Sequence, residues 1–256
     1  MSARHSRSPA IITATVLLFF YLPILVLVLD SFNASRFAGQ WGGWSLHWYA
    51  RLFQEPAIWN ALRNTLIVAF SATAASAVLG TAAAFALHRW RSRLQKVHYA
   101  LVYTPLVIPE ILMGMSLLLF FVALHVQLGL VTIFLAHVTF CISYVAMVVL
   151  ARLQDFDFAV IEAAQDLGAN HWITLRRVLL PMLAPGIAAG SLLAFTLSID
   201  DFVITFFVAG KGSTTLPVLV YSMIKHGATP LINALSTILL AVTFVVVSIT
   251  QRLTEE

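Results

Sequence analysis

Between Ile11 and Leu29 the chain carries nineteen consecutive residues without a charge. An α-helix rises 1.5 Å per residue, so about 20 apolar residues cross the hydrocarbon core of a bilayer. The run therefore predicts a first membrane span, kinked near Pro23. A cleaved signal peptide is the competing reading, but its apolar region is only about 7–15 residues long, and no A-x-A-like site follows here. Further apolar runs predict spans at Leu62–Leu87, Tyr99–Leu124, Leu128–Leu150, Leu183–Val208 and Leu231–Ile249. Leu216–Ile224 is apolar too, but at nine residues it is too short to cross, and it predicts a short re-entrant helix. With 60% hydrophobic and 10% charged residues, against about 45–50% and 25% in soluble domains, a soluble fold is excluded. The fold class expected is an all-α integral membrane protein with six transmembrane helices.

Charge fixes the expected orientation. With the N-terminus inside, the inner segments hold ten Lys and Arg residues: Arg4, Arg7, Arg89, Arg91, Arg93, Lys96, Arg152, Arg176, Arg177 and Arg252. The outer ones hold five: Arg36, Arg51, Arg63, Lys211 and Lys225. This excess places both termini in the cytoplasm, because cytoplasmic loops carry the basic residues. The basic loop 88–98 is short and flanked by spans, so it reads as this bias rather than as a nucleic-acid patch. Two regions result: 1–61, the first span and an outer loop with a surface helix, and 62–250, the transmembrane domain with the inner loop 151–181. In the outer loop Ser45 is suited to cap a helix through Trp48, Leu52 and Phe53, and Trp41, Trp44, Trp48, Tyr49 and Trp59 read as an interfacial belt. The second span is rich in small residues, Gly80 among them, which let helices approach closely in lipid. Cys141 stands alone in an apolar run, so there is no disulfide frame or Cys-x-x-Cys metal site, and it reads as a small core residue.

The loop 151–181 is the most polar long segment between apolar ones. It runs Glu162-Ala163-Ala164-Gln165-Asp166-Leu167-Gly168 and on to Leu180-Pro181. Gly168 predicts a break between two short helices and Pro181 the end of the second. Such a hairpin between spans has no lipid to face and suits a plug for a soluble partner. The alternative is a generic amphipathic loop helix. The spacing resembles the signature of importer-type ABC permeases: Glu-Ala-Ala, a Gly six residues after the Glu, then Leu-Pro twelve and thirteen residues after that Gly. Val178 is a mild departure, since that family often carries Ile there.

Other stretches carry the same resemblance across nearly the whole chain: Asp30–Asn33, His137–Cys141, Phe195–Asp201 and Asn233–Leu240. Together they resemble the spermidine/putrescine branch of the binding-protein-dependent ABC importers, in its second-permease type. The resemblance implies the type I importer permease fold and an assembly in the inner membrane of a Gram-negative bacterium. The implied partners are a related second permease forming a heterodimer, two ATPase subunits and a periplasmic polyamine-binding protein. It also implies that the Glu162, Ala163, Ala164, Asp166, Gly168, Leu180 and Pro181 segment docks on the ATPase.

Glu110, Asp200 and Asp201 are the acids inside the expected spans. A charge at the bilayer centre costs about 2.5–3.5 kcal/mol on insertion scales, so each must face protein, water or a cation. No Lys or Arg lies inside the same spans, although a second subunit can supply one. On a continuous helix Ser198, Asp201 and Thr205 share a face, and Pro105 and Pro109 loosen the helix ahead of Glu110. Phe195, Phe202 and Phe206 are candidates for cation–π contact with a polyamine. His137 reads as a packed, satisfied histidine, with a proton relay as the alternative.

The sequence has no G-x-x-x-x-G-K-[ST] phosphate cradle and no zinc-type histidine pair. No cofactor, nucleic acid or catalysis of its own is expected, and ATP with magnesium belongs to the partner subunits. The remaining alternatives are the same type of permease for another solute and a self-contained secondary transporter. An anion path would offer Arg, Lys or helix N-termini instead of acids, and a secondary transporter would favour inverted repeats, which are not evident.

Overall fold

A computed structural model describes residues 7–37, 39–89, 93–154, 156–227 and 230–254. Arg4 and Arg91 of the inner basic set lie outside them. The described residues form helices, with one isolated antiparallel bridge between Asn33 and Trp44. In chain order they are α1 (Arg7–Asp30), α2 (His47–Gln54), α3 (Pro56–Arg89), α4 (Gln95–Val107), α5 (Glu110–Ala123), α6 (Leu130–Gln154) and α7 (Ala159–Asp166). Then come α8 (His171–Thr174), a π-helical turn (Leu175–Leu179), α9 (Leu180–Asp200), α10 (Val203–Val208), α11 (Leu216–Lys225) and α12 (Pro230–Thr254).

Among the described residues four stretches are long and apolar enough to cross a membrane: Ile11–Asp30, Pro56–Arg89, Leu130–Gln154 and His171–Asp200. The expected third span is not one helix. It is the pair α4 and α5, bent by 111°, which makes a fifth span if counted as one. The reason lies at Pro109, whose ring disfavours helical backbone at the residue before it. Ile108 accordingly sits extended, at φ −68° and ψ 131°. The nine-residue segment expected to re-enter is helical as α11, and the last expected span falls on α12, whose apolar part covers Pro230–Val245.

The chain divides into two compact units, one from Met1–Trp59 with Val220–Glu256, the other from Asn60–Leu219. In the first, α12 packs on α1 and α2. Its loop between α1 and α2 folds around Asn33. The Asn33 Oδ1 accepts the N–H groups of Ser35 (3.0 Å) and Gly42 (2.8 Å), and its Nδ2 donates to the Gln40 carbonyl (2.8 Å). Trp48 departs from the interfacial belt. It is buried, because its indole N–H finds the Asn33 carbonyl at 2.8 Å, while Trp41, Trp44 and Trp59 stay exposed. Ser45 Oγ accepts the His47 N–H at the start of α2, and Leu52 is buried while Phe53 is exposed.

The second unit is built on α6, whose Ile133, Ala136, Cys141, Val145, Val149 and Leu153 are buried. Cys141 is free and takes its expected place in this core. Glycines bring the neighbours in close. A Cβ on Gly80 of α3 would lie 2.7 Å from Val145 Cβ, and one on Gly190 of α9 would lie 3.2 Å from Val145 Cα. Helices in lipid gain little from hydrophobic burial, so such close backbone approach supplies the packing that holds α6.

Candidate functional site

Two sites emerge in the second unit, at opposite ends of one helical stretch. The first is the plug. Asp157 Oδ1 accepts the Ala159 N–H (2.9 Å) where α7 begins. The helix ends at Leu167, followed by Gly168 at φ +86°. Gly168 N–H donates to the Gln165 carbonyl (2.9 Å) and Ala169 N–H to the Ala164 carbonyl (3.0 Å), the paired bonds of a Schellman motif. A Cβ added at Gly168 meets nothing within 4 Å, so glycine is there for the left-handed backbone and not for space. Asn170 then caps the next helix, its Oδ1 accepting the Ile173 N–H (2.9 Å). Glu162, Ala163 and Asp166 are exposed on α7, Ala164 is half-buried, and Leu167 at the tip is 89% exposed. A groove of about 1100 Å³ runs beside them, lined by Glu162, Ile161, Phe158, His88, Arg89 and His171 among others. Its wall is stiffened by Phe158 stacked on His88, with ring centroids 5.0 Å apart and planes at 8°.

Pro181 does not end the second helix of the plug. The helix continues from His171 to Asp200, and Leu180 and Pro181 form the first turn of α9. A proline inside a helix lacks the N–H for the carbonyl four residues back and its ring crowds that carbonyl. Here the π-turn before it widens the register, with the Leu180 N–H reaching back five residues to the Leu175 carbonyl. Such turns absorb an extra residue without stopping a helix. Arg176 and Arg177 lie within this turn, not at a helix end, and form no ion pair among the described residues. The plug is thus one short helix and the root of a span.

The second site lies where that span stops. A cavity of about 260 Å³ is lined by Glu110, Asp200 and Asp201, with Phe140, Tyr144, Phe202 and apolar neighbours, and by no Lys or Arg. Glu110 opens α5 just beyond the Pro109 bend, and Asp200 closes α9. Both are exposed, and neither forms an ion pair among the described residues. Asp201 differs. Its side chain is 6% exposed. Its Oδ2 accepts from the Thr205 N–H (2.8 Å) and hydroxyl (2.7 Å), and its Oδ1 accepts from the Ile204 N–H (3.3 Å). His137 Nε2 lies 3.3 Å from Asp201 Oδ2.

Ser198, Asp201 and Thr205 are therefore not a stripe on one helix. The helix breaks at Asp201 (φ −60°, ψ 121°), whose carboxylate takes the first free N–H groups of α10 and so starts a new helix. The break still gathers the three residues. Ser198 Oγ lies 2.7 Å from His137 Nδ1, and Thr205 Oγ1 lies 2.9 Å from His137 Nε2, all buried. His137 is thus the satisfied, packed histidine the sequence suggests, 1% exposed. Of the expected aromatics, Phe202 lines the cavity, Phe195 packs against Phe70 (4.9 Å), and Phe206 lies 5.5 Å from Phe202.

The sequence reading missed Phe140 and Tyr144 in the cavity wall and His137 as the partner of Asp201. The available signal was spacing, since His137, Phe140 and Tyr144 recur at i, i+3 and i+7 on one face of α6. It also missed the caps Asp157 and Asn170, whose residue types are those preferred before a helix.

Residues 76–255 match the family model of the binding-protein-dependent transport system inner membrane component. The chain is 46% identical over 229 residues to the putrescine transport system permease protein PotI of Escherichia coli strain K12, covering 87% of this chain and 82% of that one. It is 40% identical over 239 residues to the spermidine/putrescine transport system permease protein PotC of the same strain, covering 93% and 90%. Among solved structures, a chain of a bacterial ABC transporter that imports the acidic polysaccharide alginate superposes with a TM-score of 0.74 at 16% identity, covering 98% of each chain. A chain of the MetNI methionine ABC transporter reaches 0.62 at 21% identity, covering 78% of this chain and 96% of that one. These structures share the fold.

Proposed function

The chain belongs to the family of binding-protein-dependent transport system inner membrane components, and from that premise we propose that it is a permease subunit of an ATP-driven importer for polyamines such as putrescine or spermidine. The observation that carries the solute class is the cavity with Glu110, Asp200 and Asp201 in its wall, three aromatic side chains beside them and no basic residue. A polyamine is a chain of ammonium groups joined by methylenes, so carboxylates meet its charges and rings meet its stems.

In this reading the chain spans the inner membrane six times with both termini in the cytoplasm. It pairs with a related permease, two ATPase subunits that bind ATP and magnesium, and a periplasmic polyamine-binding protein. The plug docks on an ATPase. One helical stretch, His171–Asp200, joins the plug to the cavity, so nucleotide-driven movement at one end tilts the acid at the other. At 1.5 Å per residue such a stretch reaches about 45 Å, enough to cross a bilayer core of about 30 Å.

The test is reconstitution of the full complex in proteoliposomes, with uptake of radiolabelled putrescine and spermidine measured against an anionic sugar and a neutral amino acid. ATP-dependent uptake of a polyamine is expected. Uptake of the anion or the neutral solute in its place overturns the solute assignment.

A further inference from the structure

His137 is buried inside α6, away from the cavity wall, yet it is tied to both sides of the break that shapes the cavity. The proton positions follow from the donors available. Thr205 has one hydroxyl proton, and the 2.7 Å contact to the Asp201 carboxylate takes it, because a carboxylate only accepts. Thr205 Oγ1 must then accept from His137, so Nε2 carries a proton (2.9 Å). The other ring nitrogen, Nδ1, is hydrogen-bonded to the Ser198 hydroxyl (2.7 Å). His137 and Thr205 thus form a chain of donors directed at the Asp201 carboxylate, with Ser198 anchoring the far side of the ring.

We infer that His137 is a positioning residue for the solute path: acting through Thr205, it holds Asp201 as the cap of α10 and withholds that carboxylate from the solute, leaving Glu110 and Asp200 to meet the ammonium groups. This rests on the polyamine reading above. Asp201 lines the cavity, but its oxygens already accept three hydrogen bonds from Ile204 and Thr205 and lie against His137. Its charge is compensated by the protein. Glu110 and Asp200, exposed and without an ion pair among the described residues, are not compensated in this way. The division has a purpose in transport. A third available carboxylate deepens the solute well, and a deep well slows release.

The test uses the reconstituted complex with His137→Leu, which removes the donor to Thr205, and Thr205→Val, which removes the hydroxyl that donates to Asp201. Freed Asp201 is expected to bind the solute, so KM and kcat for putrescine uptake fall together, each by about threefold to tenfold, as when a ground state is stabilised more than a transition state. Adding Asp201→Asn to either variant is expected to raise KM again, since the extra carboxylate is gone. Thr205→Ser keeps the hydroxyl and is expected to retain the wild-type KM even where its smaller side chain lowers yield. A KM that is unchanged or raised in both His137→Leu and Thr205→Val, with uptake falling only in step with recovered complex, overturns the positioning role. Should His137→Leu fail to assemble, Thr205→Val decides alone. Failure of the wild-type complex to take up any polyamine is a separate result, since it defeats the solute assignment and not the donor chain.

Discussion

The plug and the acid cavity are both built at a helix interruption, and they are held open in opposite ways. At the plug the interruption is written in the backbone. Gly168 supplies a left-handed residue, two main-chain hydrogen bonds close the turn, and the surroundings are open. At the cavity the interruption is held by side chains, with Asp201 capping the new helix and His137, Thr205 and Ser198 fastening it to α6. A backbone break at the surface remains free to be grasped by another protein. A side-chain break at the end of a span keeps its polar groups satisfied by the protein itself.

The largest effect is expected where the cavity acids stand unpaired. Hydrogen bonds to charged groups contribute about 1.5–3 kcal/mol each, and about 1.4 kcal/mol is tenfold in rate. Asp200→Asn and Glu110→Gln are each expected to lower polyamine uptake by about tenfold or more on that scale, with complex recovered in near-normal yield because neither acid forms an ion pair among the described residues. Asp201→Asn is expected to lower uptake together with thermal stability, since it weakens a helix cap. Uptake and melting assays on the three variants separate the two behaviours, and an Asp200→Asn protein that melts early while Asp201→Asn does not reverses the comparison.

The plug gives the next effect. A side chain forced into the left-handed region costs about 1–2 kcal/mol, so Gly168→Val is expected to reduce ATP-coupled uptake by about fivefold to thirtyfold. Because the space beside Gly168 is open, bulk is not the cause. Gly168→Asn, larger than alanine but tolerant of that backbone, is expected to outperform Gly168→Ala in coupled uptake. The opposite order points to steric contact with the ATPase rather than to the turn. Asn170→Ala, losing the cap on Ile173, is expected to cost about 1 kcal/mol and to lower coupling about fivefold, read as solute moved per ATP hydrolysed.

The two sites were not equally legible in the sequence. The plug is local: its Gly and its spacing lie within a few residues and are found in one pass along the chain, and the missed caps Asp157 and Asn170 lie equally close to the helices they start. The error there concerned Pro181, because the π-turn that accommodates it depends on the register of a continuing helix and not on the proline alone. The cavity is not local. Glu110, Asp200 and Phe202 stand out as acids and rings inside apolar runs, but the partner of Asp201 lies more than sixty residues away on α6, and a search for Lys and Arg passes over a histidine. The bend at Pro109 was visible as a proline, while its 111° required the structure. The close contact of Gly80 at Val145 was foreshadowed only as a small residue in an apolar run, and that of Gly190 was not foreshadowed.

The smallest effect is expected at Glu162, and it sharpens the contrast between surface and interior. Glu162 is exposed in the first turn of α7 and faces the groove that also holds Arg89 and His88. It forms no ion pair among the described residues, so its replacement breaks no salt bridge. A negative charge near a helix N-terminus contributes about 0.3–1 kcal/mol, and Glu162→Lys turns that into repulsion while adding a cation beside Arg89. Binding of the ATPase is expected to weaken by about twofold to fivefold at low salt, with uptake less affected than in the Gly168 variants. Salt distinguishes this from a packing defect. Screening acts over about 10 Å at 0.1 M and about 3 Å at 1 M, so the difference between wild type and Glu162→Lys should close as salt rises. Titration of the purified ATPase against the permease at both salt concentrations measures it. A deficit that persists undiminished in high salt means the plug reads Glu162 by shape and contact, as the cavity holds Asp201, and not by charge.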